Sequence, residues 1–238
     1  MSLPWSKDGI EYSVDDEVKI WCDDCKGCNK CCENMLDTIV LDPYDIWQFC
    51  HKLKVAGGGG VSFELLVSED GPLELGNNFG VILPHMKMVE TDKEDVGACS
   101  FLTEEGRCSI HFCRPGICRL YPLARNYEVD EETGIDTMSY IILNEELGCP
   151  REDTTNITVK DWLGIEDSDN YQEFLLKWHA VRKYVKTAAM SGRLDEDKLK
   201  KLQMTLLSIF FIKPYGKDFY KEFEERYLIW KEELQAFE

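Results

Sequence analysis

The sequence predicts an α+β protein in two parts. A loop-rich cysteine-cluster domain with short strands and helices spans residues 1–156, and an all-helical C-terminal region, 157–238, packs on it. Three observations carry that reading. All eleven cysteines lie before residue 150. Charge divides at the same place, with 30 acidic against 13 basic residues in 1–156 and 15 against 14 in 157–238. Sustained apolar spacing of helical period begins after Thr158.

Within the first part the regular elements are short. The stretch "IVLDPYDIWQFCHKL" reads as a strand followed by a helix, with Asp42 as N-cap and Pro43 at the first helical position. The glycine run from Gly57 to Gly60 then breaks regularity. No Lys-Ser/Thr follows it and no βαβ pattern surrounds it, so it reads as a flexible connector, not a phosphate loop. "FGVILPHMKMV" has the composition of a strand, and "NYEVD" and "DTMSYIIL" form a hairpin around "EETG". No internal repeat appears beyond the cysteine spacing itself.

The second part is punctuated by caps. "TVKDWLGI" opens on a Thr158 N-cap and stops at Gly164. "DNYQEFLLKWHAVRKYVKTAAMSG" sets Phe174, Leu175, Trp178, Val181 and Val185 on one face and ends at Gly192. "DEDKLKKLQMTLLSIFFIKP" begins with acids suited to a helix N-terminus and halts before Pro214. In the last segment Phe219, Phe223, Tyr227 and Trp230 share a face. These stripes are read as plain core.

Net charge is −18. Such a surface repels phosphate backbones and anionic lipid, so neither nucleic acid nor a membrane is expected as a partner, whereas a basic protein or peptide would be steered in. No stretch reaches the roughly 18 apolar residues of a membrane helix. The N-terminus lacks a basic start followed by an apolar run, which points to the cytoplasm, where thiols stay reduced. An odd cysteine count also argues against a disulfide framework and for metal or iron–sulfur ligation.

The densest group is "WCDDCKGCNKCCENM", with Cys22, Cys25, Cys28, Cys31 and Cys32 inside eleven residues. Thiolates are soft ligands suited to zinc, copper(I) and iron–sulfur centres. C-x2-C spacing lets sulfurs from one turn reach one ion, so Cys25, Cys28 and Cys31 suit a knuckle. Neighbouring side chains diverge, so the Cys31–Cys32 doublet fits better between two metals, or between a metal and a structural or reactive role. A second group, "CSFLTEEGRCSIHFCRPGIC", covers 99–118, and "GCPR" follows at 148–151.

"CKGCNKCC", with "C-S-F-L…G-R-C-S-I-H…R-P…C-R-L-Y-P" after it, resembles the YkgJ-type CxxCxxCC cysteine-cluster family, described as chelating zinc or iron. The likeness spans roughly 21–150. It implies Cys25, Cys28, Cys31, Cys32, Cys99, Cys108 and Cys118 as metal ligands, with Cys149 as a later member. Asn29, Ser100 and His111 stand where the family usually has Gly, Pro and Tyr, and no thiol is lost. The resemblance extends to the cysteine block of flagellin lysine N-methylases, which implies iron–sulfur dependence. This chain is shorter and has no recognisable methyl-donor motif.

Eight thiols would make two four-sulfur sites, or one [4Fe–4S] cluster and one four-cysteine zinc. Cys22, Cys50 and Cys113 are left over. Cys50 lies on an apolar helix face and is expected to be a core thiol, and His111 is expected at the surface although it adds a candidate nitrogen donor. Arg114 and Arg119 are tied to the ligand loop, where they would hydrogen-bond cluster sulfurs or a substrate carboxylate, or pair with surface acids. Arg125 is expected to make surface ion pairs, and Tyr121 to pack.

The expected function is cysteine-ligated metal binding, with iron or an iron–sulfur cluster favoured over zinc because the thiols exceed the four of one closed zinc site. One reading is a metal-dependent enzyme modifying a peptide or protein side chain. The other is a non-catalytic structural zinc or electron-transfer protein, supported by the absence of a Ser-His-Asp set, Walker loop, H-E-x-x-H or dinucleotide fingerprint. Metal storage or delivery is a third. Chelation is expected to unfold the cysteine domain and spare the C-terminal helices.

Overall fold

The computed structural model describes residues 3–21, 29, 32–33, 35–54, 58–90, 97–144 and 154–237. Strand β1 (Glu17–Trp21) buries Val18 and Ile20 and exposes the residues between them, the period-two pattern of a half-covered ribbon. Helix α1 (Pro43–Lys52) starts as its sequence demands. Asp42 Oδ1 accepts from Asp45 N at 2.9 Å while Asp45 Oδ2 accepts from Asp42 N at 3.1 Å, a reciprocal cap built from two aspartates. A single turn, α2 (Phe63–Leu66), follows on a Ser62 cap.

β2 (Leu73–Asn78) and β3 (Val81–Met86) form an antiparallel hairpin, in register from Leu73↔Met86 to Asn78↔Val81. β4 (Met88–Glu90) pairs with β5 (Gly97–Cys99). After a 3-10 turn at His111–Cys113 comes α3 (Gly116–Leu120). The hairpin of β6 (Leu123–Val129) and β7 (Asp136–Ile142) closes where Asp130 Oδ1 accepts from Glu132 N and Thr133 N. β8 (Thr155–Thr158) then returns to pair antiparallel with β1.

α4 (Val159–Leu163) has its Thr158 cap and ends on left-handed Gly164. α5 (Ser168–Ser191) ends on left-handed Gly192. α6 (Glu196–Leu207) runs on into a π-helical turn, Ser208–Ile212, and α7 (Phe219–Glu233) completes the chain with a short 3-10 turn. Helices and short antiparallel strands together make an α+β architecture with a helical C-terminal region.

The main core crosses the two parts. Leu41, Phe49 and Leu83 join Trp178, Val185, Phe210, Phe211, Phe223 and Trp230 in one buried cluster. Each such side chain stabilises the fold by about 1.5–3 kcal/mol. A smaller cluster combines Val18 and Ile20 with Leu120, Leu123, Tyr140, Val159 and Trp162. Residue 156 falls inside β8, and both clusters draw side chains from either side of it. Among the described residues no helix is long and apolar enough to cross a membrane.

Candidate metal centre

The second cysteine block is a chain of tight turns. Leu102 N donates to Cys99 O at 2.9 Å, Leu102 bridges back to Cys108, and Ser109 N donates to Phe101 O at 2.9 Å. These contacts fold 99–109 on itself. The 3-10 turn then places Cys113, and α3 carries Cys118.

The first block meets this loop through backbone pairing. Glu33 bridges antiparallel to Ala98, whose other neighbour across β4–β5 is Val89. Cys32 and Cys99 stand next to the two ends of that bridge. Thus Cys32 and Glu33 are laid against β5, the strand that opens the second block.

Six cysteines are described, and all are free of disulfides: Cys32, Cys50, Cys99, Cys108, Cys113 and Cys118. Cys99 and Cys113 are buried and the others half-buried. Cys25, Cys28, Cys31 and Cys149, with Cys22, lie outside the described residues. Cys50 packs against the main core from α1, and burial, helped by the Glu64 charge, pushes its thiol up to about 11. His111 is half-buried in the 3-10 turn.

Behind the ligand loop sits a polar layer that sequence reading largely missed. Asp45 Oδ1 accepts from Gly116 N at 2.7 Å, so the residue that caps α1 also anchors the start of α3. Burial, then the neighbouring Asp42 charge, holds the Asp45 carboxyl well above its ordinary range, against two backbone donors and Arg119. Arg119 is buried and donates to Arg114 O at 2.9 Å, with longer bonds to Gln48 Oε1 and Leu163 O at 3.4 Å. Arg114 Nε and Arg119 Nε are buried and donate no hydrogen bond to any described residue.

Arg125 is not a surface ion pair. Its Nη2 donates to Tyr171 Oη at 3.2 Å, its Nε is buried, and Asp42, Tyr127 and Tyr140 surround it. α5 packs on β6 through Tyr171 against Arg125 and His179 against Tyr127, which leaves Arg125 half-buried. The D-x-x-D spacing of Asp42 and Asp45 specifies the cap of α1, whereas the reach of Asp45 to α3 depends on how distant segments pack.

The donor set suits zinc or iron: soft thiols, in a segment where Arg114 Nε and Arg119 Nε are buried without an acceptor among the described residues. A family model described as "putative zinc- or iron-chelating domain" matches residues 24–139. Residues 24–139 belong to the CxxCxxCC family. That membership supports cysteine-ligated metal binding as the coarse function of the domain. No curated protein and no solved structure shows significant similarity to the chain.

Proposed function

We propose that the CxxCxxCC domain holds iron or an iron–sulfur cluster between its two cysteine blocks, with Cys25, Cys28, Cys31, Cys32, Cys99, Cys108, Cys118 and Cys149 as ligands. The observation that supports a shared centre is the Glu33–Ala98 bridge, which lays Cys32 and Glu33 beside the strand carrying Cys99. Among the described residues no three Cys, His, Asp or Glu side chains are gathered as a metal site.

Iron is favoured over zinc because eight candidate thiols exceed one closed tetrahedron, and because an adjacent Cys31–Cys32 pair fits such a tetrahedron poorly. When bound, the group would supply redox or Lewis-acid chemistry. Arg114 and Arg119 would donate to the thiolate sulfurs and raise the potential of the centre.

For an enzymatic role the substrate of choice is a basic peptide or protein side chain. A cavity of about 540 Å³ between α5 and α7 is lined by Asp167, Glu173, Asp218 and Glu224 together with Lys177 and Lys221; Lys177 pairs with Glu173 and Glu224, which leaves Asp167 and Asp218 to attract it. The zinc reading rests on a different observation. Cys32, Cys108 and Cys118 all pack against the main core, as a structural centre requires.

Anaerobic purification with metal analysis tests the assignment. Bound iron with a broad visible absorption that dithionite bleaches is the expected outcome. Colourless protein holding about two zinc ions per chain, unchanged by dithionite, would overturn it.

A further inference from the structure

A second cavity, of about 360 Å³, opens on the far side of α5, between the β2–β3 turn and the β6–β7 hairpin. Its lining departs from the character of the chain. In a protein of net charge −18, one face of α5 presents His179, Arg182, Lys183 and Lys186 to the same hollow. Lys183 Nζ is spoken for by Asp136 at 2.6 Å, and the other lining acid, Glu128, accepts from Asn126 Nδ2 at 3.4 Å. His179 lies flat on Tyr127, ring centroids 3.9 Å apart, and burial lowers its pKa, which leaves it neutral at pH 7. Two cations, Arg182 and Lys186, remain against the single carboxylate of Glu128, a net positive lining.

Arg182 is the unusual one. It is half-buried at the inner wall, and it makes no hydrogen bond or ion pair with any described residue. Burial lowers its pKa, with Tyr127 and Asp42 opposing and the Arg125 charge adding to the effect. A half-buried guanidinium with no partner among the described residues keeps its N–H donors available to an anion in the hollow.

The second oddity is Phe79. It occupies the first central position of the β2–β3 turn with φ +51°, and Gly80 follows at +90°. Tight hairpins need positive φ at both positions and favour Asn-Gly, so a phenylalanine here is strained by roughly 1 kcal/mol. Its ring is nonetheless 75% exposed, with Lys186 Nζ 5.2 Å from its centroid. The turn is seated tightly on α5, since a Cβ on Gly80 would come within 2.9 Å of Ala189 Cβ. A strained, exposed aromatic at the lip of a cavity is a feature that ligand binding explains and folding does not.

The geometry points to a site for a small anion carrying a planar aromatic group, of the nucleoside monophosphate class, with its anionic group on Arg182 and Lys186 and its ring against Phe79. The volume lies at the lower end of the range of small-molecule pockets, about 300–1,000 Å³. None of the described cysteines lines this cavity.

Calorimetric titration of the full-length, metal-loaded protein at low ionic strength with AMP, adenosine and inorganic phosphate tests this. Saturable one-to-one binding of AMP is expected, tighter than binding of either fragment. Arg182→Gln is expected to weaken AMP by about tenfold or more, the scale of one lost charge-assisted contact. Lys186→Gln, at an exposed position, is expected to weaken it less and guards against misfolding of the first variant. Phe79→Asn is expected to weaken AMP while raising the melting temperature, because it relieves the turn. Absence of saturable AMP binding, or wild-type affinity in both Arg182→Gln and Lys186→Gln, would overturn the site. Phosphate binding as tight as AMP would overturn the aromatic half of the assignment.

Discussion

Asp45 and Gly116 are joined by a 2.7 Å hydrogen bond from Gly116 N to Asp45 Oδ1, and through it α1 is fastened to the helix that carries Cys118. The site admits no larger residue at 116, because a Cβ there would lie 2.7 Å from Tyr171 Oη. Asp45→Ala leaves both the Asp42 and the Gly116 N–H without an acceptor in a buried setting. A loss on the order of 2–4 kcal/mol is expected in denaturant unfolding. Bound metal is expected to fall as well, since the start of α3 loses its anchor.

The same carboxyl imposes a pH dependence. Its pKa is raised in the folded chain, by burial first and by Asp42 second, so the folded state binds its proton more tightly than the unfolded state does. The stability this provides is complete below the unfolded value, about 3.9, and is lost as pH rises through the folded value. Asp45→Asn cannot titrate. Its melting temperature is expected to fall less than the wild type's as pH climbs from 4 towards neutrality, and an unchanged slope would assign the effect elsewhere.

Thiol position separates ligands from packing. Cys118 sits on α3 next in sequence to Arg119, whereas Cys50 packs on α1 with its thiol pushed up to about 11 and so remains protonated at neutral pH. Cys118→Ser is expected to lower bound metal per chain, and Cys50→Ser to leave it unchanged, both read by elemental analysis of anaerobic protein. Full metal content in Cys118→Ser would detach the second cysteine block from the centre.

Local chemistry made much of this fold legible. The Asp42–Pro43 start, the Thr158 and Gly164 ends of α4, the turn at 130–134 and the stripes of α5 and α7 each need only a few neighbouring residues to be specified. What escaped was set at a distance. β1 and β8 pair across more than a hundred residues, and "TNIT" in β8 has no alternation of its own to announce it. α3 starts on Pro115 without a polar side-chain cap, because its cap is Asp45 from another helix. Arg125 was misjudged for the same reason: only the packing of α5 over β6 shows that its partner is Tyr171. The thiol spacing pointed to the family directly, because metal ligation fixes residue type and interval along the chain.

Arg226 offers a test of the helical part by itself. It is buried in α7, and its Nη1 donates to Ile209 O at 2.9 Å and to Lys213 O at 2.7 Å. Nη2 donates to Pro214 O at 2.8 Å, and the guanidinium lies 3.5 Å from the Tyr215 ring centroid. These bonds satisfy carbonyls that the π-helical turn cannot satisfy itself. Arg226→Met keeps the packing volume and removes all three donors. A loss of about 3–5 kcal/mol is expected, with bound metal unaffected. Arg226→Lys is expected to recover only part, because an ammonium cannot reproduce the fork.

Chelation probes how the metal centre and the fold depend on each other. A separate cysteine domain would unfold alone, but the main core runs from Leu41 and Phe49 through Leu83 to Trp178 and Trp230, and no metal is needed to bury those side chains. The block at 97–118 is different. Only three-residue β5, a 3-10 turn and short α3 give it regular structure, and single-turn elements are not stable without support. Removing the metal is therefore expected to cost this block its order while α5, β3 and α7 persist. Hydrogen exchange on anaerobic protein, with and without a strong chelator, reads this segment by segment. Amides of 97–118 are expected to lose protection, while those of 171–188 keep theirs. Simultaneous loss in both would mean that the metal holds the whole core together. Unchanged protection in 97–118 would mean that Cys99, Cys108 and Cys118 do not ligate it.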